Sequence, residues 1–398
     1  CEGIGQFFFY VKSQGFPGME RNIWMVEVRE ANSTKEKKAF VKFPLELYKD
    51  CPQFVPFLLS DELDNFNPKK NPAFDFCEAK MFLAYRDGRV VGRIGAIISH
   101  AANQKWGTSR IRFTRVDFID DYEVSQALFD AVIAWGREKG LQEIHGPMGF
   151  SDLDQEGMLI EGFDQDNNFI TIYNYAYYKE HMARLGFDKD VDWVEYKIKI
   201  PEQVDPRIER LSQLVMKRSK MKMASFKSKR EIRPYLKGAM RVINEAFENL
   251  YGTVPITDKL IQKYFSQFMM LINPHYVRMI IDENDEPVGV GFMLPSMNDC
   301  VRKSKGRLFP FGWIRILRAP YKKTDVIDLY LVGVKPKYQK QGHIALMLND
   351  LTKEAIENHG KYAETGPELE TNEKIQALWK SYEATQHKRR RCWIKKIG

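Results

Sequence analysis

One stretch constrains this chain more than any other. Asp325 to His359 reads DVIDLYLVGVKPKYQKQGHIALMLNDLTKEAIENH. Val326 to Val334 is an apolar, β-branched run broken by Asp328 and Gly333, the pattern of a buried strand. Lys335-Pro336-Lys337 ends it. Tyr338 to Gly342 is a basic loop without a carboxylate, and Ile344, Met347, Leu348, Leu351 and Ala355 then recur at helical spacing. A strand, a glycine-containing basic loop and a helix N-terminus make an anion cradle, because the first helical N–H groups lack partners and the macrodipole favours negative charge. On its pattern alone the unit is equally an ordinary strand–loop–helix packing element.

Val334-Lys335-Pro336-Lys337-Tyr338-Gln339-Lys340-Gln341-Gly342-His343-Ile344 resembles the acyl-CoA-binding motif of the GNAT acyltransferases, V-x-P-x-Y-[QR]-x-x-G-x-[GA]. Val334, Pro336, Tyr338, Gln339 and Gly342 match in register. Ile344 stands where the family has Gly or Ala, and Ala345 follows. Asn372 with Ile375, Leu378, Trp379 and Tyr382 is similar to the family's N-x-x-A-x-x-L-Y-x-x-x-G-F helix, without its Gly-Phe ending. The resemblance implies an α/β (α+β) protein of two tandem GNAT-like domains, each a mixed, mostly antiparallel sheet flanked by helices. It also implies acyl-CoA or acetyl-CoA as co-substrate, and no metal. Backbone of Val332 and Val334 would follow the pantetheine. Gln339, Lys340, Gln341, Gly342, His343, Ile344 and Ala345 would surround the pyrophosphate, and Asn372 would meet the pantetheine arm. The acceptor amine would attack the thioester, with a base or water relay taking its proton. Asp328 on the core strand, Glu364 on the next and Tyr382 on the C-terminal helix are the catalytic candidates. Each has a plainer reading, since a strand Asp is more often a structural partner and a helix Tyr more often core.

At 398 residues the chain is long for one hydrophobic core, so two domains are expected. The divisions read as a leader or extension at 1–24, a degenerate GNAT-like domain at 25–200 and a GNAT domain with the acyl-CoA loop at 201–398. Cys1 as a lipid-modified terminus is the minority reading of the leader. Five scattered cysteines without CxxC spacing suit a reducing cytosol, hence a cytoplasmic protein, with the inner face of the membrane as a place of peripheral contact. The seven histidines form no HxxxH or HExxH pair. Residues 1–200 carry 25 Lys+Arg against 31 Asp+Glu, net −6, and residues 201–398 carry 36 against 22, net +14. The basic half calls for an anionic ligand or surface.

In the first half, Met25 to Val28 reads as a strand, Lys35 to Tyr48 as a helix, and Met81 to Ile94 as a hairpin turning at Asp87-Gly88. Arg112 to Phe118 is the next strand, Ser125 to Gly140 an amphipathic helix, Glu143 to Pro147 a short strand, and Tyr177 to Phe187 a helix leading to a strand from Trp193 to Ile200. The order repeats the GNAT pattern, but Ile119-Asp120-Asp121-Tyr122-Glu123 stands where the cofactor loop belongs. Carboxylates there repel a pyrophosphate.

After a linker at Pro201 to Pro206, Arg207 to Lys217 reads as a helix, Met223 to Lys229 as a strand, Pro234 to Leu250 as a helix and Tyr276 to Leu294 as a second hairpin. Asp299 to Lys323 interleaves eight Lys and Arg with Leu308, Phe309, Phe311, Trp313, Ile314, Ile316 and Leu317, with Asp299 its only acid. That pattern suits contact with an anionic membrane through 302–323, or a buried amphipathic helix with a solvated basic face. The Arg389-Arg390-Arg391 cluster would serve a phosphate or a charged tail. Three functions follow. The first is an acyl-CoA-dependent N-acyltransferase acting on an amine, with the bacterial ceramide synthase-like branch and its lipid or sphingoid-base amine as the specific form. The alternative is a catalytically inactive GNAT scaffold binding lipid or a membrane surface. Nucleic-acid binding comes last, because no helix-turn-helix or zinc spacing supports it.

Overall fold

The computed structural model describes residues 25–254 and 257–398; the leader expected at 1–24, with Cys1, lies outside the described residues. Fourteen strands join in one sheet. In chain order they are β1 (Glu27–Glu30), β2 (Cys77–Arg86), β3 (Arg89–Ser99), β4 (Arg110–Phe118), β5 (Glu143–Gly146), β6 (Met158–Glu161), β7 (Asp188–Lys199), β8 (Lys222–Ser225), β9 (Val277–Ile281), β10 (Pro287–Pro295), β11 (Val326–Val334), β12 (Tyr362–Thr365), β13 (Glu368–Leu369) and β14 (Ala384–Lys396). Side by side they run β1-β2-β3-β4-β5-β14-β7-β12-β11-β10-β9-β8, with β6 joined to β14 and β13 to β7.

The order is a duplication. β1 to β4 are antiparallel and β4–β5 parallel. β8 to β11 are antiparallel and β11–β12 parallel. Each half ends in one long strand, and the two have changed places. β7 pairs with β12 of the second half, and β14 pairs with β5 of the first. They also pair with each other from Ala384↔Ile198 to Ile394↔Asp188, so the sheet is continuous across the division expected at 200/201.

Local chemistry explains the elements. The β2–β3 hairpin turns through Asp87 and Gly88 at φ 52° and 72°, the left-handed pair a two-residue turn needs. Helix Thr34–Leu47 starts from a Ser33/Glu36 capping box. Helix Tyr122–Glu138 buries Val124, Leu128, Phe129, Val132 and Trp135 on the first-half sheet. In the second half, helix His343–Glu357 lays Met347 and Leu351 over β10. Gly291 permits this approach, since a Cβ there would lie 2.5 Å from Met347 Sδ.

One expectation changes and one helix is new. The strand expected over Met223 to Lys229 stops at Ser225, and Lys229 opens the short helix Lys229–Ile232. Helix Asp258–Leu271, not read from the sequence, supplies one wall of the site below.

Candidate active site between the two halves

β11 and β12 run together from Val326↔Tyr362 to Leu329↔Thr365 and then part. At the vertex, Gly366 N donates to Leu329 O at 3.2 Å. β13 turns away to pair with β7. On its other side β11 stays on β10 through a bulge: Phe292 faces Leu331, Met293 faces Leu329, and Tyr330 has no opposite number. Such a bulge re-aims the strand edge. A cavity of about 450 Å³ fills the opening. The second half lines it with Leu329 to Val332, Thr365 and Glu368, and with Asn372 and Trp379 beside the C-terminal helix. The first half contributes Leu58 and a loop carrying Asp152 and Glu156, and helix Asp258–Leu271 adds Tyr264 and Leu271.

In the first half β4 and β5 likewise pair only from Arg110↔Glu143 to Arg112↔His145 while β4 runs on to Phe118, and the helix that follows each opening differs between the halves. In the first, Asp121 caps helix Tyr122–Glu138 by accepting from Glu123 N and Val124 N, and Arg86 pairs with Asp121. Its N-terminus is therefore already occupied by a carboxylate. Tyrosines fill the space beside β4: Tyr178 OH accepts from Phe118 N at 2.9 Å, and Tyr48 OH donates to Asp117 at 2.7 Å. In the second half, Pro336–Gln341 winds as a 3-10 turn and Gly342, at φ 78°, leads into helix His343–Glu357. No side chain caps that helix, and a Cβ on Gly342 would meet nothing within 4 Å. Its N–H groups remain available to an anion.

No family model matches the chain. It is 28% identical to Protein YghO of Escherichia coli over 376 residues, 93% of this chain and 95% of that protein. It is 29% identical to the bacterial ceramide synthase of Caulobacter vibrioides over 317 residues, 76% of this chain and 79% of that protein. A tandem GNAT protein from the clavulanic acid biosynthesis pathway superposes at TM-score 0.53 and 11% identity, covering 94% of this chain and 99% of that one. The chain has the tandem GNAT fold.

Within that fold the residues expected at the cofactor divide. Val332 and Asn372 line the cavity. Val334 is buried in the core beneath helix His343–Glu357. Gln339, Gln341 and Gly342 lie on the surface of the turn, and Ile344 and Ala345 are half-buried in the first helical turn. The Lys340 side chain lies outside the described residues. His343 is turned inward: its ring is buried, with Nδ1 3.3 Å from Tyr338 O, so only its backbone faces the helix entrance.

Asp328 and Glu364 lie on the neighbouring strands β11 and β12, as the sequence suggested, and face each other in register, but neither is among the cavity's lining residues. They belong to a buried charge row. Lys388 Nζ lies 3.3 Å from Glu364 and 3.5 Å from Glu195, and Arg390 pairs with Glu195. Asp328 has no well-aligned partner for either oxygen, with Ser296 and Asn168 near by. Burial, and then the neighbouring Glu364, push its carboxyl well above the usual range, with Lys388 opposing. With Asp328 neutral, two carboxylates balance Lys388 and Arg390. Tyr382 packs on Trp379, ring centroids 6.2 Å apart, behind the cavity wall. The arginine cluster is spoken for as well. Arg389 and Arg391 pair with Asp192, and Arg390 is fully buried, so the phosphate expected there has no free guanidinium.

Three cavity groups escaped the sequence reading. Glu368 follows the vertex by two residues; burial raises its carboxyl from 4.5 to about 7, Trp379 Nε1 donating to both oxygens at 3.0 Å and holding it down, Glu195 pushing it up. Glu156 is raised well above the usual range by burial and then by Asp152, and its Oε2 has no partner. Tyr330, the bulged residue, has a hydroxyl without a partner. A signal for Glu368 existed in Gly366-Pro367-Glu368, a break followed by an acid just beyond a strand.

A His145, Asp190 and Cys392 trio has ligand atoms within 4.8 Å of one another. The Tyr251 hydroxyl occupies their midst, 2.9 Å from His145 Nδ1, 2.5 Å from Asp190 Oδ2 and 3.6 Å from Cys392 Sγ. Burial lowers His145 to about 4, so the ring is neutral in this network.

Proposed function

We propose that this chain is an acyl-CoA-dependent N-acyltransferase whose second half holds the thioester and whose first half walls the acceptor. The observation that carries this reading is the asymmetry of two repeated openings. One is filled by tyrosines and closed at its helix by Asp121; the other opens onto a cavity, and the helix that follows its strand carries no side-chain cap. An acyl-CoA fits the second: the pantetheine along the edge of β11 by Val332 and Val334 with Asn372 facing it, and the pyrophosphate over Gln339 to Ala345, Lys340 included. The first half is then a GNAT-like copy that has given up its cofactor.

Acyl transfer requires the incoming ammonium to lose its proton. Glu368, at about 7, is matched to that task at neutral pH. It replaces Asp328 and Glu364 as the base, because neither of those two lines the cavity and Glu364 is held by Lys388. Tyr330 returns a proton to the departing thiolate. Tyr382 supports Trp379 from behind.

The acceptor is an amine on a long apolar chain. Leu58, Leu271, Phe292 and Leu331 give the cavity apolar walls, and Asp152 and Glu156 add carboxyl oxygens to its lining that can accept from an amine. The resemblance to a protein named a bacterial ceramide synthase supports a lipid amine. Ile344 in place of the motif's Gly or Ala, and the missing Gly-Phe ending after Tyr382, favour a second reading, a scaffold that binds lipid without turnover.

Melting temperature with CoA, acetyl-CoA and palmitoyl-CoA, for the native chain and Gly342→Glu, tests the proposal. A ligand that binds only the folded state raises the melting temperature. The expected result is a rise that the variant loses, largest with the long acyl chain. No rise with any CoA would remove the acyltransferase and leave the scaffold.

A further inference from the structure

The segment that follows β10 builds a platform. Helix Asn298–Ser304, helix Gly312–Arg318 and the residues that join and follow them pack Val301, Leu308, Ile316 and Ala319 against Val55, Leu58, Phe169 and Leu271. Three of these, Leu58, Phe169 and Leu271, also line the cavity, so the platform's underside is the cavity's outer wall. The loop between the helices is pinned to the first half, Leu59 N donating to Gly306 O at 2.9 Å. A Cβ on Gly306 would lie 2.1 Å from Phe57 O, so nothing larger fits.

The outer face is apolar and cationic together. Phe309 is 79% exposed and Phe311 68%, with Trp313, Leu317 and Tyr321 exposed beside them. Lys303, Lys305, Arg307, Arg315, Arg318, Lys322 and Lys323 are exposed around these rings. None has a carboxylate partner among the described residues, whereas Arg302, at the edge, pairs with Asp166 and Asp299. No helix among the described residues is long and apolar enough to cross a membrane. Solvent alone gives no reason for aromatic side chains to project from a rigid support. An interface with apolar depth and anionic headgroups satisfies both halves of the pattern.

We propose that residues 303–323 dock this protein on an anionic bilayer, with Phe309, Phe311 and Trp313 entering the headgroup boundary and the cations meeting lipid phosphates. Docking stands on the platform alone. Its use, delivery of a membrane-held amine past Leu58 and Leu271 into the cavity, rests on the acyltransferase reading.

Co-sedimentation of the full chain with phosphatidylcholine vesicles, with and without phosphatidylglycerol, tests it. The native chain is expected to bind the anionic vesicles and to be released by salt. Phe309→Ser/Phe311→Ser should lose binding. Arg315→Glu/Arg318→Glu should bind at least about fivefold more weakly per cation removed. CoA release with a short acyl-CoA and a water-soluble amine, without vesicles, should be unchanged in both variants. Equal binding to neutral vesicles, or native-like binding by the serine variant, overturns the proposal. So does binding of a duplex oligonucleotide that matches the vesicles and ignores Phe309 and Phe311. Vesicle binding without any CoA release leaves docking intact and removes the acyltransferase reading instead.

Discussion

Replacing Glu368 by Gln removes one ionisable group from the vertex of the opening and keeps its shape. In the folded chain that carboxyl titrates near 7, against 4.5 ordinarily, chiefly because it is buried. The folded state therefore holds the proton more tightly than the unfolded state. The stability this adds is fully present below 4.5 and is lost as pH rises through 7. The gap between the two values corresponds to about 3 kcal/mol. Gln cannot ionise, and its carbonyl keeps one acceptor for Trp379 Nε1. The variant should thus gain about 3 kcal/mol on the native chain between pH 4.5 and pH 8, most of it by pH 7. Urea unfolding at pH 4.5, 6 and 8, followed by tryptophan fluorescence, measures the difference. CoA release gives a second reading: native kcat/KM should fall about tenfold per pH unit below 7, and the Gln variant should be slow and lack that limb. A stability difference that stays flat with pH would refute the buried-carboxyl reasoning, and an intact acid limb in the variant would refute Glu368 as the base.

Arg390→Met should cost about 3–5 kcal/mol, because it leaves Glu195 buried without its guanidinium; adding Glu195→Leu should recover most of the loss, read by the same urea midpoints. Tyr178→Phe keeps the ring stacked on Phe118 but orphans the Phe118 N–H, a loss of about 1–3 kcal/mol in chemical unfolding with no change in CoA binding.

Local signals were readable because local chemistry sets them. Asp87-Gly88 marks its turn, and the spacing of Ile344 to Ala355 marks the helix over the second-half sheet. The acids at 120–123 read as hostile to a pyrophosphate, and in the structure one of them, Asp121, caps its own helix. The exchange of β7 and β14 was not legible. A strand's alternation fixes which face is buried but not which of two equivalent edges it joins. For the same reason Arg389, Arg390 and Arg391 read as a free basic cluster, although their partners lie some two hundred residues away at Asp192 and Glu195. Asp328 and Glu364 were correctly set on adjacent strands, yet strand position cannot reveal that Lys388 reaches across to claim one of them. Glu368 was hidden because its raised carboxyl is a property of burial, and four acids between Glu364 and Glu373 look alike until the chain closes around one.

The exchanged strands also govern how the polypeptide can be made. When the ribosome has delivered the first two hundred residues, β5 has no neighbour on its open side, and β7 has neither β14 nor β12. The emerging half must wait with bare strand edges, a template for pairing with other nascent chains. Only when residues 384–396 leave the exit tunnel can the last strand slide between β5 and β7. Closure of the sheet between β5 and β7 is therefore a late event. A stop codon anywhere before residue 384 should send the product to chaperones and proteases, whichever half it has completed.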